Sequence, residues 1–354
     1  MMAQAKTLYH ASGPLSTSDC LNASKSIHRP VPITPSSLAY HAKTLWLFTE
    51  SDVMTMLVPV SVFAMVAAPL TTYANIPHLL FWLWLHVLTF NTSNQTTSSE
   101  DATNKPHRPI PAGRITFEHA RILRWALVPI CGGLSLMYSK ETMLASVVVS
   151  FLTVTYNELR CDGRSAISRN LLNGLGYAAF EAGTTLVARD NKTSLDPRCW
   201  RAILLSGLLF ATTIYAQDFR DVVGDAELRR DTIPLRFGAQ ARPFLMASVV
   251  LWSIALSWIW QLDTFTATAF VVLGAFAGGR FVLKTTIDDD RRSYFWYNVG
   301  YPLFSNIAQW VNEGYLGLGC RRPCSSRVLA LLLFDLRILW AVYPIESCTG
   351  AWLP

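Results

Sequence analysis

The stretch NTSNQTTSSEDATNKPHRPIPAGR, residues Asn91–Arg114, follows the apolar run Leu79–Phe90 without a break. Ionisable groups at the end of a membrane-length helix are costly, and are functional candidates by default. Glu100 and Asp101 can hold a divalent cation through oxygen ligands. Lys105, His107, Arg108 and Arg114 follow them, and such bases can hold the phosphate oxygens that a cation bridges. The plain alternative is a solvated loop with a basic, cytosol-facing flank.

Working outward, the 354 residues are 51% hydrophobic and 15% charged, with a mean hydropathy of +0.28. That is too apolar for an ordinary soluble domain and fits a chain that crosses a membrane several times. The 12 Trp suit aromatic belts at the two interfaces. The net charge of +6 points to an anionic membrane face and anionic substrates. The chain shows no basic-aromatic module for nucleic acid. The seven Cys are scattered with no CxxC, which reads as free, partly buried thiols. The polar start, with Pro30, Pro32 and Pro35, predicts a disordered cytosolic tail over residues 1–42 and shows no secretory signal.

A spanning helix needs roughly 20 mainly apolar residues. Candidates are Val53–Thr71, Ile76–Phe90, Ala120–Tyr138, Met143–Tyr156, Leu171–Val187, Ile203–Ala216, Pro243–Gln261, Phe265–Leu283 and Phe295–Tyr315. The expected fold is therefore an all-α bundle of about nine transmembrane helices in one domain, residues 43–316. Residues 317–354 form a separate extension with an apolar run of unassigned role. Lys and Arg concentrate in the loops after the even-numbered spans. This bias places those loops, and every polar stretch of interest, on the cytosolic side. Asn91 and Asn94, in Asn-X-Ser/Thr sequons, would then face the cytosol and Asn191 the lumen, where it could be glycosylated.

The sixth span runs into QDFRDVVGDAELRRDTIPL, residues 217–235. Spacing of i, i+3 and i+7 puts Asp218, Asp221 and Asp225 on one helical stripe. Three like charges on a stripe need a cation. Mg²⁺ fits, because it favours carboxylate and water oxygens and bridges phosphates. The alternative is a solvated helix end, with the aspartates paired to Arg220 and Arg229. Two acid-then-base stretches on one face favour the reading in which metal and diphosphate share a site.

These residues carry a family resemblance. The second stretch resembles the DxxxDxxGDxxxGxxTLP pattern of the UbiA superfamily of intramembrane prenyltransferases. The first is similar to that family's NDxxDxxxD motif followed by RP, but in a depleted form: Asn94-Gln95, Ser98, Glu100-Asp101, then Asn104, Arg108-Pro109, Pro111 and Gly113-Arg114. This form resembles a fungal branch that includes UbiA-type terpene cyclases. The resemblance covers roughly residues 43–315. It implies a bundle of about nine helices, bound Mg²⁺, and ionisation of an isoprenyl diphosphate to an allylic cation. One metal cluster would be Asn94, Glu100 and Asp101, the other Asp218, Asp221 and Asp225, with Asp101 and the three aspartates of the second stretch as the catalytic set. Lys105, Arg108, Arg229 and Arg230 would clamp the diphosphate.

Asn170, Asn173, Tyr177 and Phe180/Glu181 form one stripe on the fifth span. They either face a substrate cavity, where aromatic faces can stabilise a cation, or hydrogen-bond between helices. Asp288–Asp290 and Tyr294, Tyr297 and Asn298 lead into the ninth span, where the acidic run is either a cap on the site or a solvated loop. The implied activity is a magnesium-dependent terpene cyclase of secondary metabolism that makes a cyclic sesquiterpene from farnesyl diphosphate. The alternatives are transfer of the prenyl group to an aromatic or other acceptor, and a membrane scaffold that has lost activity. Implied partners are the isoprenyl diphosphate, the bilayer of the endoplasmic reticulum and downstream pathway enzymes.

Overall fold

The computed structural model describes residues 35–68, 73–97 and 105–298. The chain divides into two units, Met1–Lys43 and Thr44–Pro354. Of the first, only the helical start from Pro35 is described. This corrects the expected tail over residues 35–42. Proline is tolerated at the first helical position, where its missing N–H has no partner to lose.

Helix α1 spans Pro35–Thr49 and leads through a tight turn, Glu50–Asp52, and a π-turn, Val53–Leu57, into α2, Val58–Ala67. Then follow α3 (Asn75–Thr97), α4 (Phe117–Tyr138), α5 (Lys140–Asn157), α6 (Ala166–Ala188), α7 (Pro197–Thr213), α8 (Asp218–Glu227), α9 (Ala241–Ile259) and α10 (Thr264–Leu283). A last described helix, α11, covers 287–298. Among the described residues there is no strand. Among the described residues five helical stretches are long and apolar enough to cross a membrane: Leu38–Ala67, Phe117–Tyr138, Pro197–Glu227, Ile233–Ile259 and Thr264–Leu283. Exposed Ile122, Leu144, Phe151, Leu251, Trp258 and Val272 cover the outer faces of α4, α5, α9 and α10, a surface suited to lipid.

The largest departure from the sequence reading is α3. It runs seven residues past Phe90, through the first part of the polar stretch. Thr92 and Thr96 bond back to the carbonyls of Leu88 and Thr92 at 2.8 Å each. Short hydroxyl side chains that satisfy themselves on the preceding turn can continue a helix in an apolar setting. Asn91, Ser93 and Gln95 are buried there. Glu100 and Asp101 lie outside the described residues, as do residues 299–354 with the rest of the ninth span and the extension.

α6 is the central helix and packs against α2, α3, α5 and α7. Its approach to α7 is set by small residues. A Cβ added at Gly174 would stand 2.4 Å from the Gly207 carbonyl oxygen and 2.7 Å from the Ala211 Cβ. Because the obstruction is backbone, Gly174→Val is expected to destabilise the fold by about 1–3 kcal/mol or more. A thermal unfolding midpoint in detergent unchanged from wild type would refute this packing.

Candidate active site

Direction along the chain brings the polar groups to one end. α3, α5 and α7 end there, and α2, α4 and α6 begin there. The opposite end holds Asn75, whose Nδ2 donates to the Ala188 carbonyl at 3.1 Å, and Ser139, whose hydroxyl donates to the Lys192 carbonyl at 2.6 Å. Asn191 is exposed at that opposite end.

At the polar end, α8 forms because a tightened turn, Ile214–Gln217, carries the chain directly from α7 into Asp218. Asp218 is wholly buried. Its Oδ1 accepts from Arg169 Nη2 at 2.9 Å and Nε at 3.2 Å. Asp225, also wholly buried, pairs with Arg230 at 3.2 Å. Asp221 is half-buried with Arg220 at 3.6 Å. The pairing is therefore not with Arg229, which is exposed beyond the end of α8 in a left-handed conformation. Arg230 bridges Asp225 to Asp162, the latter at 2.8 Å. Burial pushes the Asp162 carboxyl above its usual range and the Arg230 guanidinium down to about 10, so the arginine stays charged at neutral pH.

The two polar stretches, more than a hundred positions apart, meet here. The charges of Lys105, Arg220, Arg169 and Arg108 all bear on Asp221, and Lys105 also bears on Asp225. Asn94 donates to Asn157 Oδ1 at 3.4 Å, joining α3 to the end of α5. Several buried polar atoms have no hydrogen-bond partner among the described residues: Asp218 Oδ2, Asp225 Oδ2, Asn170 Oδ1, Arg220 Nε and both side-chain polar atoms of Gln95. Unpaired buried polar groups are costly, and the unpartnered carboxylate oxygens of Asp218 and Asp225 suit a polar ligand at this end. Two unpartnered carboxylate oxygens suit Mg²⁺, which usually takes one or two protein carboxylates and completes its shell with water and phosphate. Among the described residues no three His, Cys, Asp or Glu side chains form a metal-binding group by themselves.

Behind this end lies a cavity that opens to the outside. Phe90, Val149, Leu152, Leu172, Phe180 and Ile214 give it apolar walls, and Asn173, Tyr177, Tyr294 and Arg220 also line it. Tyr177 stacks on Phe210, ring centres 3.6 Å apart, and its hydroxyl donates to the Thr55 carbonyl at 2.6 Å. The α6 stripe thus splits. Asn173, Tyr177 and Phe180 line the cavity, Asn170 is buried beside it, and Glu181 instead accepts from Ser206 on α7 at 2.6 Å. Asp288 is exposed and Asp289 half-buried, while buried Asp290 is held by Arg242 at 2.7 Å and 2.8 Å. Arg169 and Asp52 carry no role from the sequence alone, and Arg220 was expected there only as a partner of the aspartates, which it is for Asp221. A cation inside the aspartate motif and another at the start of an apolar helix were the signals for Arg220 and Arg169. Asp52 gave none.

Comparison with known proteins agrees with this geometry. The model of the UbiA prenyltransferase family matches residues 56–299. Fumagillin beta-trans-bergamotene synthase of Aspergillus fumigatus is 33% identical over 269 residues, 75% of this chain and 91% of that protein. Diterpene cyclase eriG of Hericium erinaceus is 30% identical over 263 residues, 71% of this chain and 82% of that one. The solved structure of a UbiA homolog from Archaeoglobus fulgidus bound to GPP and Mg²⁺ matches with a TM-score of 0.54 at 12% identity, covering 84% of this chain and 97% of that one. At that identity the likeness is one of fold. An aspartate-bearing helix near basic residues of a second polar stretch, at the polar end of a helical bundle, and a family match over most of the described residues, lead to one assignment: the chain belongs to the UbiA prenyltransferase family.

Proposed function

We propose that the protein is a magnesium-dependent membrane terpene cyclase that ionises farnesyl diphosphate and closes it to a cyclic sesquiterpene in secondary metabolism. What carries this reading is the convergence of Lys105 and Arg108 on Asp221 at the polar end of an apolar cavity. The similarity to a bergamotene synthase and a diterpene cyclase supports cyclisation.

In this reading Asp218, Asp221 and Asp225 would contribute carboxylates to one Mg²⁺ site completed by water and phosphate, and Asn94 with Glu100 and Asp101 would contribute to the other. Bound magnesium supplies Lewis-acid neutralisation of the diphosphate. Arg220, Lys105 and Arg108 balance the remaining charge, so that the C1–O bond breaks with its electron pair leaving on the diphosphate. The apolar walls keep water from the allylic cation. Tyr177 and Phe180 present rings to it, while the Tyr294 ring is covered by the Arg220 guanidinium, 4.3 Å from its centre. A double bond of the same chain then attacks, forming the new C–C bond, and loss of a proton yields the hydrocarbon. The helices of the bundle, about nine in number, sit in the endoplasmic reticulum with the site facing the cytosol, as the Lys and Arg bias of the loops supports.

Microsomes containing the protein, incubated with farnesyl diphosphate and Mg²⁺ alone, are expected to release a volatile cyclic hydrocarbon identified by mass spectrometry, and EDTA to abolish it. Turnover that begins only when a phenolic acceptor is added would replace the cyclase by a prenyltransferase.

A further inference from the structure

Asp52 precedes the first apolar run and belongs to neither aspartate stretch. Among the described residues its carboxylate is the only acidic group on the cavity wall. Segments distant in the chain end on it. Its Oδ2 accepts from Asn91 Nδ2 at 2.8 Å and Ser51 Oγ at 3.2 Å, and its Oδ1 from Thr55 Oγ1 at 3.0 Å. Arg108 Nη2 stands 3.6 Å from Oδ2 and donates to Ser51 Oγ at 2.9 Å. Asn91 is held in turn by the Phe48 carbonyl at 3.0 Å.

The placement has a local cause. Between α1 and α2 the chain passes through the π-turn Val53–Leu57, a form frequent at functional sites. There the Thr55 carbonyl accepts from Tyr177, fixing the segment to α6. Arg108, by contrast, lies in an irregular loop. A long loop side chain loses much rotamer freedom on binding unless it is already held. Asp52 and Ser51 hold it, and its charge bears on Asp221.

We propose that Asp52 is a positioning residue for diphosphate binding: from the cavity wall it orients Arg108 beside it, so that the guanidinium meets phosphate oxygens in a prearranged pose. This rests on the diphosphate reading above.

The test uses the full chain in detergent with Mg²⁺. Inorganic pyrophosphate binding is measured by calorimetry, and kcat and KM with farnesyl diphosphate. Asp52→Asn is expected to weaken pyrophosphate binding about tenfold, the size of losing a charged partner. KM should rise in parallel, with kcat changed less. In an Arg108→Ala background the same substitution should add little. Unaltered pyrophosphate binding in Asp52→Asn, or a loss that adds in full to that of Arg108→Ala, would overturn the proposal. Should Asp52→Asn fail to fold, Ser51→Ala removes the hydrogen bonds that Ser51 makes to Arg108 and Asp52 and leaves the Asp52 charge in place. It should weaken pyrophosphate about threefold, and no change would overturn the proposal equally. If the wild-type chain binds no pyrophosphate with Mg²⁺, the diphosphate reading itself falls and takes this one with it.

Discussion

Asp218→Asn is expected to lower kcat with farnesyl diphosphate by a factor of about 10²–10³, the range seen when one preorganised electrostatic group is removed from an active site. The substitution keeps the shape of the side chain and removes only its charge. Asp218 is wholly buried at the start of α8. One oxygen is committed to Arg169 and the other has no partner among the described residues. The second oxygen is therefore available to a cation, and the first keeps the carboxylate from rotating away. The matched control is Arg229→Ala. Arg229 is exposed past the end of α8, and turnover is expected to stay within about twofold of wild type. Both are measured in microsomes by product formation at saturating Mg²⁺. An Asp218→Asn variant with wild-type turnover would remove the second aspartate stretch from the chemistry. A collapse in Arg229→Ala would return that arginine to the diphosphate clamp.

How far the sequence exposes this site depends on whether the relevant spacing is local. The α8 stripe was legible because i, i+3 and i+7 share a helical face, and Asp218, Asp221 and Asp225 do sit on α8. The polar end of α3 was harder. A run of Asn, Thr, Ser and Gln looks like a loop when solvent is assumed, yet here the hydroxyls return to the preceding carbonyls and the helix continues. The ion pairs were the least legible. Arg169 with Asp218 and Arg230 with Asp162 join segments 49 and 68 positions apart, separations that carry no periodic signal. Of two adjacent arginines, Arg230 faces inward and Arg229 outward, because the chain turns at Arg229 through φ 52°. Asp52 escaped for the same reason: its importance comes from Asn91 and Arg108 meeting it in space, not from its neighbours in the chain.

Arg169→Met carries the largest expected effect on stability. The guanidinium is nearly as buried as the carboxylate it faces, with side-chain exposures of 6% and 0%, and its Nη1 also donates to the Asp162 carbonyl at 3.3 Å. Taking both charges out of water is expensive, so the intact pair is a modest net contributor. Removing one partner is different, because it leaves an uncompensated charge in a low-dielectric interior, at a cost of about 3–5 kcal/mol. The single variant is therefore expected to unfold at a markedly lower temperature in detergent. Added Mg²⁺ and pyrophosphate should recover part of the loss by supplying positive charge to Asp218 and binding only the folded state. The double variant Arg169→Met with Asp218→Leu, which replaces both charges by apolar groups, should regain much of the stability while remaining inactive. That pattern, loss in the single and recovery in the double, distinguishes charge burial from lost packing. If the double variant is less stable than Arg169→Met alone, the pair stabilises through shape, and the electrostatic account of this end of the bundle is wrong.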